Sequence, residues 1–143
     1  MPITAKELAE KDYITLGPEE TAERAARVMK EKRHGFAIVA SPEGRPLGIV
    51  TEWDFIEKVL GEGRSPGEVK LREMMSARLV GIDARASLDE VAQLMANRGI
   101  RRVLVFEGER LLGVVTARTI LARLKEYVDK VSAQIARLQA PPY

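Results

Sequence analysis

The feature that most constrains the fold of this chain is an internal repeat. A shift of 66 residues places Glu7–Leu16 on Glu73–Ile82 and Thr21–Met29 on Ser87–Met95. After a one-residue deletion in a turn, "RPLGIVT" at 45–51 falls on "RLLGVVT" at 110–116. Few residues are identical, but the apolar pattern agrees over nearly the whole unit. Because a unit of about 60 residues is marginal as a separate core, the repeat predicts two similar halves packed as a pseudo-twofold pair.

Each repeat predicts the same order of elements. A short apolar strand (13–16 or 79–82) precedes a helix capped by Thr21 or Ser87. Helical spacing predicts that each of these helices turns a stripe of residues to the core, namely Ala22, Ala25, Ala26 and Met29, or Leu88, Val91, Ala92 and Met95. A hairpin of two apolar strands and a second helix complete the repeat.

The predicted fold is therefore α/β (α+β), with two β-α-β-β-α repeats and an extended C-terminal helix. The hairpin strands are 36–41 with 46–51, and 102–107 with 111–116. The second helix covers 53–60 in the first copy and starts at Arg118 in the second. Repeat 1 is expected at 1–60, a linker at 61–68, repeat 2 at 69–125 and a helical extension at 126–143.

The last helix carries an apolar stripe beyond the repeat. Its members recur every three or four residues: Ile120, Leu124, Tyr127 or Val128, Val131, Ile135 and Leu138. The stripe fits a helix that folds back on its own domain, or a coiled-coil-like contact with a second subunit. We favour the second interpretation, because the repeat does not need this helix to complete its core.

Composition excludes several kinds of site. The chain has no cysteine, which excludes disulfides, thiolate chemistry and cysteine-rich zinc sites. His34 is the only histidine, which argues against a histidine-based metal centre or a Ser-His-Asp triad. We predict no catalytic residue, no metal and no cofactor. No signal peptide or membrane-spanning run is evident, so we expect a cytoplasmic chain.

The segment Gly48–Asp54, "GIVTEWD", offers the clearest candidate for binding chemistry. Thr51 is placed at a strand-to-helix junction, where its hydroxyl and free N–H groups suit a phosphate. Asp54 falls in the first helical turn, where a carboxylate can accept both hydroxyls of a ribose. The competing interpretation is that Thr51 is an N-cap and Asp54 complements the helix dipole. Trp53 could flank such a site or lie in the core.

The duplicated order, "EMMS" at 73–76 and the Gly-x-x-Thr-x-x-Asp pattern at 48–54 resemble the cystathionine-β-synthase (CBS) domain pair, or Bateman module. The resemblance covers about residues 5–125. It implies a non-catalytic regulatory module that binds adenosine-containing ligands between its repeats, and that commonly forms flat dimers. We therefore expect a homodimer that regulates an unknown protein.

The resemblance also implies the binding residues. Thr51 and Asp54 would face the first strand of the other repeat and the residues before its second strand: Leu79, Val80, Gly81, Ile82, Ile100, Arg101 and Arg102. The two arginines match a basic pair that contacts phosphates in some members. They could instead be solvated, or pair with Glu107 or Glu109.

A second, weaker site is implied on the other side of the pair. Thr116 repeats Thr51, but Thr119 replaces the aspartate, so the ribose clamp is missing. The other residues of this site would be Ile14, Leu16, His34 and Phe36. His34 could equally be structural or simply exposed.

The expected function is an energy or metabolite sensor that binds AMP, ADP or ATP. The arginine pair favours a phosphorylated ligand over S-adenosylmethionine, whose sulfonium is positive. An alternative is a nucleic-acid-binding or structural adaptor, which rests on the pI of about 9.0 and on the arginines of the second repeat: Arg98, Arg101, Arg102, Arg110, Arg118 and Arg123. The net charge of only +2 makes this the weaker hypothesis.

Overall fold

The computed structural model describes residues 3–139, which form two compact units. The N-unit comprises Asp12–Val80. The C-unit combines the described residues up to Lys11 with those from Gly81 onward. The elements in chain order are α1 Ala5–Leu8, β1 Thr15–Leu16, α2 Ala22–Lys32, β2 Phe36–Ala40, β3 Pro46–Thr51, α3 Glu52–Asp54, a π-helix Phe55–Leu60, a 3₁₀ turn Pro66–Glu68, α4 Leu71–Met74, β4 Gly81–Asp83, α5 Leu88–Arg98, β5 Arg102–Glu107, β6 Arg110–Thr116 and α6 Ala117–Gln139.

The predicted fold class is confirmed, with one three-stranded sheet in each unit. The orders are β1-β2-β3 and β4-β5-β6; the first pair of each sheet is parallel and the hairpin is antiparallel. The hairpin strands lie within one residue of their predicted positions. The first strands are shorter than predicted, since β1 begins at Thr15 and β4 at Gly81. Gly44 and Gly108 take positive φ in the two turns, a conformation that glycine adopts without strain.

The helices α2 and α5 begin where the sequence predicts. The hydroxyl of Thr21 accepts the Arg24 N–H at 3.2 Å, and that of Ser87 accepts the Glu90 N–H at 3.1 Å. The predicted core stripes are wrong at one alanine in each helix. Ala26 and Ala92 are exposed, because each lies one position beside the face that packs on its sheet.

Each sheet receives a short helical segment from the neighbouring repeat in the sequence. Residues 3–10, with α1, join the C-unit, where Glu10 and Val114 exchange backbone hydrogen bonds of 2.9 and 3.0 Å. Residues 69–76, with α4, join the N-unit, where Ser76 and Ile49 do the same at 2.9 Å. The repeats therefore exchange their leading segments.

The glycines that occupy the same position in the two repeats, Gly48 and Gly113, make room for these segments. A Cβ on Gly48 would lie 2.6 Å from Met75 Sδ and 2.8 Å from the Ser76 carbonyl oxygen. A Cβ on Gly113 would lie 2.5 Å from the Glu10 carbonyl oxygen. Because only glycine lets the backbones approach this closely, both copies need the same residue.

Helix α6 joins the C-unit at its beginning. Ile120 is buried in the C-unit core, so this member of the stripe packs on its own domain, as the first of the two interpretations predicted. From Leu121 onward the apolar side chains of the helix are exposed. The predicted extension runs to residue 143, and residues 140–143 lie outside the described residues. Between residues 3 and 139 no helix is both long and apolar enough to cross a membrane.

Candidate functional site

The strand-to-helix junction of the N-unit lies at the end of its sheet, where β2 and β3 pair. Phe36 lies opposite Thr51 in the β2–β3 ladder. The Glu52 N–H donates to the Gly35 carbonyl at 3.1 Å, which ties the start of α3 to the residue before β2. Thr51 is extended, with φ −122° and ψ 167°, so β3 passes directly into the helix. This geometry fixes Asp54 one turn above the end of the strand.

Asp54 is the one charged residue buried among residues 3–139, with 7% of its surface exposed. Its Oδ2 accepts the Thr51 N–H at 2.8 Å and the Thr51 hydroxyl at 3.2 Å. Its Oδ1 lies 3.1 Å from Lys58 Nζ. The ammonium of Lys58 also donates to the Met74 carbonyl at 2.9 Å. The carboxylate therefore caps the helix, as one interpretation of the sequence predicted, and is charge-balanced.

Lys58 belongs to a π-helix, which is an uncommon element that is frequent at functional sites. Lys58 is not among the binding residues predicted from the sequence. Its signal was the spacing of four residues from Asp54, which is the spacing of a helical ion pair. Trp53, in the preceding turn, is 62% exposed, so the interpretation that placed it in the core is wrong.

The corresponding junction of the C-unit keeps the cap and loses the charge. Thr119 Oγ1 accepts the Thr116 N–H at 3.0 Å, and Thr116 Oγ1 accepts the Thr119 N–H at 3.1 Å. The Thr119 hydroxyl donates to the Thr116 carbonyl at 2.7 Å. Thr119 thus caps its helix as Asp54 does, but with a neutral side chain. Arg123, in the position of Lys58, pairs with Glu7 at 3.5 Å.

The predicted binding residues are divided between the units. Thr51, Asp54, Leu79 and Val80 belong to the N-unit, and the remaining residues of the stronger site belong to the C-unit: Gly81, Ile82, Ile100, Arg101 and Arg102. The structure brings Thr51 and Asp54 together in one unit and Arg102 opposite Thr116 in the other.

The arginine pair lies at the same end of its sheet as Thr116. The Arg101 carbonyl accepts the Ala117 N–H at 2.9 Å, so this residue adjoins the first turn of α6. The Arg101 side chain is exposed, whereas that of Arg102 is half-buried. Glu107, one of the two acids considered as partners for the pair, forms an ion pair with Lys6 at 3.7 Å.

The first strands of the two repeats differ in accessibility. Ile14 and Leu16 are buried in the N-unit core. Their counterparts Val80 and Ile82 are half-buried, which leaves apolar surface on the strand. Gly81 is exposed, and a Cβ there would lie 2.8 Å from the Phe106 ring.

The residues near the predicted basic position of the weaker site form an aromatic pair. The rings of His34 and Phe36 stack with centroids 6.4 Å apart. Phe36 is buried and His34 is half-buried. In the part of the chain that the structure describes, no group of three or more acidic or histidine residues is placed to hold a metal ion.

Known proteins resemble this chain along both repeats. The profile of the CBS domain matches residues 5–61 and 71–126. An uncharacterised protein of Methanopyrus kandleri is 32% identical over 138 residues, which are 96% of this chain and 70% of that protein. The structure of an uncharacterised conserved protein from Pyrococcus horikoshii has a TM-score of 0.79 at 24% identity and covers 86% of this chain and 92% of that one. A hexameric CBS-CP12 protein from bloom-forming cyanobacteria has a TM-score of 0.76 at 34% identity, over 85% and 67% of the two chains.

Proposed function

The chain belongs to the CBS domain family, whose paired domains commonly act as regulatory ligand-binding modules, and we propose that its ligand is an adenosine nucleotide, AMP, ADP or ATP. On this proposal the module is a non-catalytic sensor of energy or metabolite level. Asp54 binds the ribose hydroxyls of this ligand. The chain acts as a homodimer in the cytoplasm. A cytoplasmic location suits a sequence without cysteine, because disulfides are rare in that compartment.

The observation that carries this proposal is the difference between Asp54 and Thr119. An ionised carboxylate has about four acceptor positions. The contacts of Asp54 with Thr51 and Lys58 occupy three of them. The Thr51 hydroxyl can rotate to another acceptor and release one more. Two neighbouring acceptors are what the 2′- and 3′-hydroxyls of a ribose require.

Thr119 cannot serve a ribose in the same way. Its single hydroxyl proton is used on the Thr116 carbonyl, and its oxygen accepts the Thr116 N–H. A neutral hydroxyl also forms weaker hydrogen bonds than a carboxylate does. The local cap is intact in both repeats, so capping alone does not explain why the first repeat has an acid. A charged acceptor that keeps a tenth of its side chain exposed favours ligand binding.

The phosphate end of the ligand is assigned to Arg101 and Arg102. Guanidinium groups bind phosphate oxygens through two parallel hydrogen bonds. The same positive groups would repel the positive sulfonium of S-adenosylmethionine. The released Thr51 hydroxyl supplies a further donor. This assignment supports a nucleotide over S-adenosylmethionine.

Nucleic-acid binding is the second candidate, because Arg98, Arg101, Arg110 and Arg118 are exposed. The charge around them is not uniformly basic. Arg123 is paired with Glu7, and Arg85 is paired with Asp83 at 3.0 Å. A nucleic-acid surface would need a continuous basic patch, so this candidate carries less weight.

Isothermal titration calorimetry of AMP, ADP, ATP, adenosine, S-adenosylmethionine and a short DNA duplex tests the proposal. We expect a nucleotide to bind with a dissociation constant in the micromolar range or below, at about −8 kcal/mol. Asp54→Ala should weaken binding by about 1–3 kcal/mol, or roughly 5- to 150-fold, because the ribose hydroxyls lose their acceptor. Arg101→Gln should weaken the binding of ATP and leave the binding of adenosine unchanged.

Three outcomes would overturn the assignment. The absence of nucleotide binding refutes the function. Binding that is unaffected by Asp54→Ala refutes the ribose contact. Tight DNA binding that weakens steeply with salt, together with no nucleotide binding, establishes the second candidate instead.

A further inference from the structure

Helix α6 carries an exposed apolar seam that runs almost to its end. The seam consists of Leu121, Leu124, Val128, Val131, Ile135 and Leu138, which are between 37% and 80% exposed. The spacing alternates three and four residues without interruption, which is the a/d pattern of a coiled coil. Four of the six residues lie beyond residue 126, where the match to the second CBS domain ends. The seam is therefore additional to the domain pair.

We propose that the seam pairs with the same seam of a second copy of this chain in a parallel, two-stranded coiled coil. The inference is independent of the nucleotide site. The occupant is identified by the charges around the seam. Between residues 121 and 138 the flanking e and g positions hold Lys125, Tyr127, Ser132 and Gln134. Two identical helices can therefore meet with little repulsion between like charges.

The remaining charges lie on the outer face of the helix. Arg123, Glu126, Asp129, Lys130 and Arg137 occupy the b, c and f positions, and the flanking Lys125 is paired with Asp129 at 3.1 Å. A helix that lay on an anionic membrane would carry an excess of cations on its polar face. The outer face has both signs. The surface thus suits water on one side and an identical apolar seam on the other.

The types of apolar residue set the number of helices and their direction. β-Branched residues at a with leucine at d favour parallel dimers. Val128 and Ile135 occupy a positions, and Leu124 and Leu138 occupy d positions. The exceptions are Leu121, at an a position, and Val131, at a d position.

The helix is already formed before it pairs. Ile120 anchors its first turns in the C-unit core, and Arg123 is bound to Glu7. The cost of helix nucleation is therefore met within one chain. Twelve side chains from two copies, at ~100 Å² each, would remove roughly 1,200 Å² from water. That area is near the lower bound for a specific interface.

Sedimentation velocity on the full chain tests the pairing. The wild-type protein should sediment at twice its 15.9 kDa mass at roughly 10–100 µM. Val128→Glu/Ile135→Glu places two like charges in each seam and should raise the dimer dissociation constant by at least about 100-fold. Ala133→Glu/Ala136→Glu adds the same charge to the outer face and should leave the mass unchanged.

The direction of the helices is tested by cross-linking, since the chain has no cysteine of its own. In a parallel pair Leu138→Cys lies opposite its own copy and should form a disulfide on mild oxidation. Ala136→Cys, on the outer face, should not. Cross-linking only in a mixture of Leu121→Cys and Leu138→Cys chains would show an antiparallel pair and refute the proposed direction. A monomeric or trimeric wild type, or a dimer that survives the double glutamate variant, would refute the proposal.

Discussion

Gly113→Ala is predicted to destabilise the C-unit, because this glycine lies beneath a neighbouring backbone. The added Cβ would stand 2.5 Å from the Glu10 carbonyl oxygen and 3.0 Å from Ala9 Cβ. Real Cβ atoms essentially never approach a neighbour within 3.0 Å, so the segment must move by at least about 0.5 Å. No flexible side chain can absorb this shift, since the nearest obstacle is backbone.

The cost follows from the two hydrogen bonds that hold the segment. Glu10 and Val114 exchange N–H···O bonds of 2.9 and 3.0 Å, and displacement weakens both. At about 0.5–1.5 kcal/mol each they are worth about 1–3 kcal/mol. Overpacking adds a cost of similar size. Replacing glycine returns about 0.4–1 kcal/mol by restricting the unfolded chain. The net loss in the free energy of unfolding is therefore about 3 kcal/mol.

Thermal unfolding followed by circular dichroism measures this loss. For a chain of this size 3 kcal/mol corresponds to a fall of about 6–12 °C in Tm. Gly67→Ala is the matched control, because its Cβ would meet only the Glu23 carboxylate at 3.6 Å. That variant should keep the wild-type Tm or exceed it slightly. An unchanged Tm for Gly113→Ala would refute the explanation given for the repeated glycine.

Two further predictions concern single carboxylates. Thr119→Asp places an acid four residues before Arg123 in the second repeat, which is the spacing of Asp54 and Lys58. The nucleotide stoichiometry measured by calorimetry should then rise from one to two per chain. An unchanged stoichiometry would contradict the equivalence of the two junctions. The hydrogen bond from Arg64 lowers the pKa of Glu73 below its ordinary value of 4.5. Because the folded-state pKa is the lower one, this carboxylate stabilises the fold above pH 4.5 and the contribution disappears as pH falls through the folded value. In urea titrations Glu73→Gln should be slightly less stable than wild type at pH 7, and the difference should shrink as the pH is lowered below 4.5; a difference that stays constant would contradict this.

The sequence allowed the repeated elements to be predicted because their signals are strong. The hairpin strands of both repeats are continuous apolar runs bounded by glycine-containing turns, and they were placed to within one residue. Thr21 and Ser87 marked the starts of their helices. Repetition at a fixed spacing reinforced each weak local pattern with a second copy.

The exchange of leading segments could not be predicted from the sequence. Helices α1 and α4 have four residues each, which is too short to display a period. The signal that existed was the glycine kept at 48 and 113, whose reason is visible only when the opposing backbone is known. Ala26 and Ala92 were assigned to the core wrongly because alanine is tolerated on either face of a helix.

The candidate site was predicted in part. The cap between Thr51 and Asp54 follows from the spacing of three residues, as does its neutral copy at Thr116 and Thr119. The burial of Asp54 and its contact with Lys58 required the structure, because they depend on how the π-helix turns and on where the Met74 carbonyl lies. The apolar stripe of α6 was predicted, but its first member was shifted by one residue, since Ile120 belongs to the core.

The central claim is that one carboxylate per chain makes the nucleotide site, and Asp54→Thr tests it most directly. This substitution copies the cap that Thr119 forms in the same protein, so the fold should be retained, with a Tm close to that of wild type. Calorimetric titration of AMP and ATP should then show affinity reduced by roughly 5- to 150-fold. Nucleotide binding at wild-type affinity by a folded Asp54→Thr protein would contradict the account.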